Sequence, residues 1–284
     1  MRQLWSQTVS TSIRGLSTAR ERVWLLVWDA KHNLFLFNHA GERQAETKLR
    51  GELIAACAAD DGRSFVAVGN RGQVWLLAPD FTLRWERSID SRPTAVAIDC
   101  IGQRVAVAAA DGSVCIFDEA GSLTHQCSSP QPLHHLAFVP EMPALLGAAD
   151  FGHVVCFDRS GGVAWRDAVV MHIGCMAVSG DGATIALGCF SDGVCCYSLL
   201  EGPKSRRMVP AVGPCRFVTT SYAADIWMTI GLEPVITMRR PDGTTLEEVT
   251  IAGNPVGIAV NPMGTQACVA TAEGSLFAYD LTRR

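Results

Sequence analysis

Apolar residues in this chain come in short runs divided by polar turns, and the runs recur at a nearly fixed interval. Seven apolar positions mark it: Leu34, Val74, Val114, Val154, Val194, Val235 and Leu276. The intervals between successive anchors differ by one position at most, a period of about 40 residues. Each anchor opens a strand that ends in a bulky residue three positions on: Phe37, Leu77, Phe117, Phe157, Tyr197, Met238 and Tyr279. A turn precedes several of them, at Arg71-Gly72, Asp111-Gly112, Phe151-Gly152 and Glu273-Gly274. Glycine there supplies the positive φ that a tight hairpin needs. Ahead of each turn lies another apolar strand, such as VWLLVW, FVAVG or TIALG. Ahead of that is a strand with small residues on one side, such as LIAACAA, TAVAID or VGIAV. A more polar strand follows each anchor, as in TLRWERSI and GVAWRDAV. Four short antiparallel strands per repeat, seven times over, predict an all-β, seven-bladed β-propeller.

The register extends to the chain ends. Trp85 and Trp165 hold the same place in two fourth strands, two repeats apart, and two repeats further back is Trp5. Residues 3–9 (QLWSQTV) therefore read as a fourth strand with no first three, and residues 254–284 as three strands with no fourth. The N-terminal strand is expected to complete the last blade, with residues 1–10 pairing with 254–284, which leaves no open seam. Residues 1–284 are then a single propeller domain.

Composition narrows the setting. Apolar residues make up 48% of the chain, enough for an ample core. No apolar run approaches the roughly 20 residues of a membrane helix, and MRQLWSQTVS lacks the apolar stretch of a signal peptide. A net charge of −4 gives no electrostatic case for nucleic acid. The eleven cysteines are odd in number and show no C-x-x-C spacing. They read as small buried thiols in a reducing, cytoplasmic setting. Cys195 and Cys196 are strand neighbours and point to opposite faces, so a bond between them would strain the backbone. Charged residues are 18% of the chain, against about 25% in ordinary soluble proteins. Buried Ala, Val and Gly account for part of that deficit, and a surface covered by a partner would account for more.

At this level the whole chain resembles WD-repeat proteins and the related quinoprotein-like propellers. The likeness lies in the first hairpins AADDGRSFVAVG (58–69), VSGDGATIALG (178–188) and VNPMGTQACVA (260–270). It lies also in the turn FDRSGGVAW (157–165), similar to the D-x-x-G-x-x-x-W pattern of the quinoprotein-like group. The chain departs from the WD pattern in having Gly-His only at Gly152-His153 and Trp-Asp only at Trp28-Asp29, after a second strand rather than a third. WD-repeat proteins are mostly non-enzymatic platforms, so the resemblance implies a scaffold whose partners are other protein subunits. It implies no cofactor, no catalytic residue, no membrane insertion and no identified small molecule.

The alternative is a small-molecule hydrolase or a ligand- or metal-binding protein using the axial channel. Nineteen residues before each anchor stand Gly15, Ala55, Ala95, His135, Cys175, Arg216 and Gly257. One residue earlier stand Arg14, Ile54, Thr94, His134, Gly174, Cys215 and Val256. His134, His135, His153, His172 and Arg216 are thus expected near one sector of a channel mouth, with Asp150 and Asp192 as the nearby carboxylates. Imidazoles can bind a metal or move protons near neutral pH, and equally can cap loops. Two other places depart from the repeat. LEGPKSRRMVP (200–210) carries Lys204, Arg206 and Arg207, either a solvated loop or a dock for an acidic partner. The sixth blade has Pro234 where others have glycine, and Tyr222 is its candidate exposed anchor, whereas Trp227 sits in a core pattern.

Overall fold

The structure, a computed structural model, describes residues 1–9, 11–140, 142–169, 171–191, 193–209 and 213–282. It consists of seven four-stranded antiparallel sheets arranged as the blades of a propeller. Blades one to seven begin with the first strands Ile13–Ala19, Leu53–Ala58, Pro93–Ile98, His135–Phe138, Ile173–Val178, Phe217–Thr220 and Pro255–Val260. The only helix among the described residues is a 3-10 turn at Gly202–Ser205.

The strands read as unbroken apolar runs because the two faces of each blade are both buried. Seven apolar clusters fill the seven gaps between neighbouring blades. Side chains alternate along a strand, so each strand feeds two clusters. In blade two, Val74 and Leu76 pack toward blade three, whereas Trp75 and Leu77 pack toward blade one. The turn glycines behave as the sequence requires: Gly72, Gly112, Gly152 and Gly274 have φ of 87, 85, 83 and 91°.

The ring closes as the Trp5 register predicts. Arg2–Thr8 is the fourth strand of blade seven, pairing antiparallel with Ser275–Asp280. Trp5, Trp85 and Trp165 lie opposite Ala278, Leu76 and Cys156, each two residues past its anchor.

Blade six corrects the spacing. Leu34 pairs with Trp28 and Thr47, and in blade six the same offsets belong to Ile236, which pairs with Ile230 and Val249. Ile236 and Met238 also pack toward blade seven, as an anchor and its i+2 neighbour do elsewhere. The sixth anchor is therefore Ile236, not Val235, so the interval before it lengthens by one position and the interval after it shortens by one. The extra length lies in the last turn of blade five. Val194 pairs with Val209, whereas the equivalent Val154 pairs with Asp167, so the blade-five hairpin is longer by two residues. The bulky residue of blade six is then Arg239, not Met238. Arg239 is buried, and it donates from Nε to Thr229 Oγ1 (3.2 Å) and from Nη1 to Thr245 Oγ1 (2.7 Å) and the Gly243 carbonyl (3.3 Å).

Candidate functional site

The first strands stand around the axis, and small residues let seven of them approach. Their channel encloses about 250 Å³ and is lined largely by small or apolar side chains such as Ala97, Ala137, Ala177, Ile98 and Val260. Within it the buried Thr220 Oγ1 has no hydrogen-bond partner among the described residues.

At the mouth where first strands turn into second strands, one residue per blade forms a ring: Arg20, Asp60, Cys100, Pro140, Gly180, Tyr222 and Pro262. Glu21, Val23 and Met263 add to it, and the depression measures about 510 Å³. Arg20 grips Asp60 with two hydrogen bonds, Nε to Oδ1 at 2.8 Å and Nη2 to Oδ2 at 2.6 Å. Its Nη1 reaches across to the Val178 carbonyl in blade five at 3.4 Å. Burial works against the Arg20 charge, but the Asp60 carboxylate outweighs it and holds the guanidinium above its ordinary range. A bidentate pair thus bars one side of the mouth, while Tyr222, Pro262 and Met263 make the other side apolar. Sequence reasoning singled out Tyr222 here but missed Arg20 and Asp60. The signal was a third column of the repeat, running from Arg20 through Asp60 and Cys100 to Pro262, with opposite charges in adjacent blades.

The opposite mouth carries the histidines. His134 and Arg216 occupy equivalent places: each main-chain N–H bonds a second-strand carbonyl, that of Ala148 and that of Ile230 respectively. Arg216 thus belongs to the His134 column; Phe217, paired with Ile230, belongs to the His135 column, paired with Ala148. In other blades the position of His134 is the extra residue of a bulge, as between Ile13 and Gly15, a device that re-aims a side chain. His134 Nδ1 lies 3.2 Å from Asp150 Oδ1, and His135 Nε2 lies 3.9 Å from the same oxygen. The buried His135 Nε2 has no hydrogen-bond partner among the described residues. Burial pushes the His135 imidazole down in pKa, against the upward pull of Asp150 and of a main-chain hydrogen bond at Ile173. His172 packs edge-on against Phe151 and Phe190, with centroids at 5.6 and 5.0 Å. Arg216 lies over the Phe217 ring at 5.0 Å.

His153 stands apart, at the start of a third strand opposite Ala168 in the outer strand. Its buried Nε2 has no partner among the described residues, and burial together with Arg166 lowers its pKa. Asp192 lies outside the described residues. The channel cavity is lined by none of His134, His135, His153, His172 or Arg216. Among the described residues no group of three or more His, Cys, Asp or Glu is placed to hold a metal ion.

No protein-family model matches this chain, and no curated protein matches it. The chemistry must be read from its own surfaces.

The basic segment after blade five is largely tied to its own chain. Arg206 Nη1 pairs with Asp167 at 3.1 Å, tying it to blade four, and Arg207 Nη1 donates to the Pro241 carbonyl of blade six at 3.3 Å. Lys204 stays exposed on the 3-10 turn. Beside this turn an outer groove of about 480 Å³ runs between blades four and five, lined by Met142, Trp165, Leu199 and Leu200 among others. No helix among the described residues is long and apolar enough to cross a membrane, and no disulfide joins the described cysteines.

Proposed function

We propose that this chain is a non-catalytic platform that binds other proteins with the face bearing the first-to-second and third-to-fourth strand turns. One observation carries the reading. Five large apolar side chains on those turns face solvent: Ile101, Met142, Leu200, Tyr222 and Met263, exposed by 51, 38, 82, 46 and 80%. They lie around or outside the depressed mouth, an arrangement that protein-contact surfaces favour. The opposite face offers Phe151 and Leu232 as its large exposed apolar residues. A closed ring of blades loses little conformational freedom on binding, so its loops bind at low entropic cost. The resemblance to WD-repeat platforms supports the same reading, and eleven cysteines with no disulfide among the described residues suit a reducing compartment such as the cytoplasm.

The test is capture of partners from the native cells by wild type, by a Met263→Glu/Tyr222→Ser variant and by a Phe151→Ser control. Partners held by wild type and control but lost from the double variant support the platform. Partners retained by the double variant, or lost only from the control, overturn it.

A further inference from the structure

The depressed mouth carries an apolar strip that ends at an acid. Tyr222, Pro262, Met263 and Val23 line it through the neighbouring blades six, seven and one, and Glu21 lines it two residues before Val23. The main chain holds the strip in place. The Tyr222 N–H donates to the Pro262 carbonyl at 2.8 Å, and the Tyr222 carbonyl accepts from the Asp181 N–H at 3.0 Å, which ties it to both adjacent blades. Its ring lies against Gly180, where an added Cβ would collide with it. The Glu21 N–H donates to the Asp60 carbonyl at 2.9 Å, so the backbone that carries the acid is fixed as well. The Glu21 carboxylate itself is exposed and has no hydrogen bond or ion pair among the described residues.

Charge on and beside the first-to-second strand turns is one-sided once each group is set against its partner. Arg20 is spent on Asp60, Arg104 pairs with Asp99 at 3.2 Å, and Arg63 lies 4.0 Å from Asp61. Arg22 is the one guanidinium there with no acidic partner among the described residues. It lies over the Trp24 ring at 5.0 Å and does not line the depression. Against it stand three exposed carboxylates with no basic partner, Glu21, Asp181 and Asp225. Asp181 and Asp225 accept from serine hydroxyls of their own turns, which leaves the negative charge in place. The turns of blades four to seven (139–144, 179–183, 221–226 and 261–265) contain no lysine or arginine. The Cys100 thiol registers the field: burial raises its pKa, and the carboxylates of Asp99, Asp60 and Glu21 add to that.

We infer that this mouth receives one basic side chain, lysine or arginine, of a partner protein. Its methylene stem lies along Tyr222, Pro262 and Met263, and its cationic head meets Glu21. Long basic side chains carry an apolar stem and a charged tip, which is the order of groups along the strip. A wholly apolar side chain would bury Glu21 without a partner. An acidic one would face Glu21 with no free guanidinium in the depression, since Arg20 holds Asp60. The site is filled by a single side chain entering end-on, so its neighbours in the partner are free to face away. The inference rests on the platform reading and adds the chemistry of the partner.

The experiment is selection of a displayed random dodecapeptide library on wild type and on a Glu21→Gln protein in parallel. Glu21 is exposed and its main-chain bond survives the change, so the variant folds as wild type does. The expected result is a fixed lysine or arginine in the peptides enriched on wild type, relaxed in those from Glu21→Gln. A synthetic peptide of the enriched sequence should bind Glu21→Gln about threefold more weakly, the effect of one exposed ion pair. Its salt dependence should flatten there as well. A peptide with norleucine at the basic position keeps the stem but not the charge, so it should bind the two proteins equally. With 3-fluorotyrosine incorporated, the three tyrosines report separately. The signal lost from Tyr222→Phe should move on titration, and those of the buried Tyr197 and Tyr279 should stay. No enrichment, enrichment without a fixed basic residue, equal binding of the basic peptide to both proteins, or an unmoved Tyr222 signal overturns the inference. If it is overturned while the Met263→Glu/Tyr222→Ser variant still loses native partners, the platform stands and only the chemistry of its partner falls. Retention of those partners by that variant overturns the platform itself.

Discussion

Replacing Trp5 by alanine tests the closure of the ring at a single side chain. The indole is half-buried against Gly41, where an added Cβ would fall 2.6 Å from the ring, and it donates to the His39 carbonyl at 2.9 Å. A fully buried tryptophan costs about 3–5 kcal/mol on truncation. Half-burial reduces that to roughly 2 kcal/mol, and the lost hydrogen bond adds about 1 kcal/mol. The unfolding entropy of a 284-residue chain at about 2.1 cal/mol/K per residue is near 0.6 kcal/mol/K, so about 3 kcal/mol lowers the Tm by roughly 5 °C. Trp85 sits at the same register but is only 7% exposed and donates to the Glu119 carbonyl, so Trp85→Ala should cost about 5 kcal/mol, or roughly 8 °C. Trp165, at the same register opposite Cys156, has no acceptor among the described residues, so Trp165→Ala should cost least, about 2 kcal/mol and roughly 3 °C. Calorimetry gives the three midpoints. Amide exchange locates the effect, since Trp5→Ala should speed exchange in Ser275–Asp280 ahead of the other blades. A Trp5→Ala protein that melts with wild type, or a Trp165→Ala protein as damaged as Trp85→Ala, would refute the account of how blades are locked.

Three further outcomes follow from the same structure. Arg239 occupies a column that is aromatic or leucine in the other six blades and has no carboxylate among its hydrogen-bond partners, so Arg239→Tyr should raise stability by about 1 kcal/mol, read as a Tm gain of roughly 2 °C; a drop of several degrees would show that the guanidinium network is needed. His32 has φ of 70° at a turn position where Gly72 and Gly112 stand in other blades, so His32→Gly should stabilise by about 1 kcal/mol in denaturant unfolding; no change would mean the turn is unstrained. His135 and His153 both titrate below their ordinary range because of burial, so the unfolded chain takes up protons first as pH falls through about 6.5. Stability should therefore be full above that pH and fall toward pH 5, and a His135→Gln/His153→Gln protein should show a flatter profile; an unchanged slope would remove these two groups as its source.

The part of the molecule legible in the sequence is the part that repetition enforces. Each strand is buried on both faces, so every blade needs apolar residues at the same places, and seven copies average out local exceptions. That is why Trp5 could be assigned to a strand pairing with residues near the other end of the chain. The exceptions were legible only where they left the period intact. A two-residue insertion in blade five moved the sixth anchor to Ile236, and spacing alone set it at Val235, because both neighbours are apolar. The same slip placed Arg216 in the wrong column and hid the buried Arg239 behind Met238. The histidine sector was half visible. His134, His135 and Asp150 do meet, but His153 faces the outer strand, since residues opening a third strand lie two strands from the channel. The Arg20–Asp60 pair was visible only as two unlike charges one repeat apart, and such residues become neighbours only once the ring is drawn. The vacancy at Trp165 lies at the same level. The motif FDRSGGVAW makes that tryptophan look like its two counterparts. What distinguishes it is the carbonyl that blade five, lengthened by two residues, does not present.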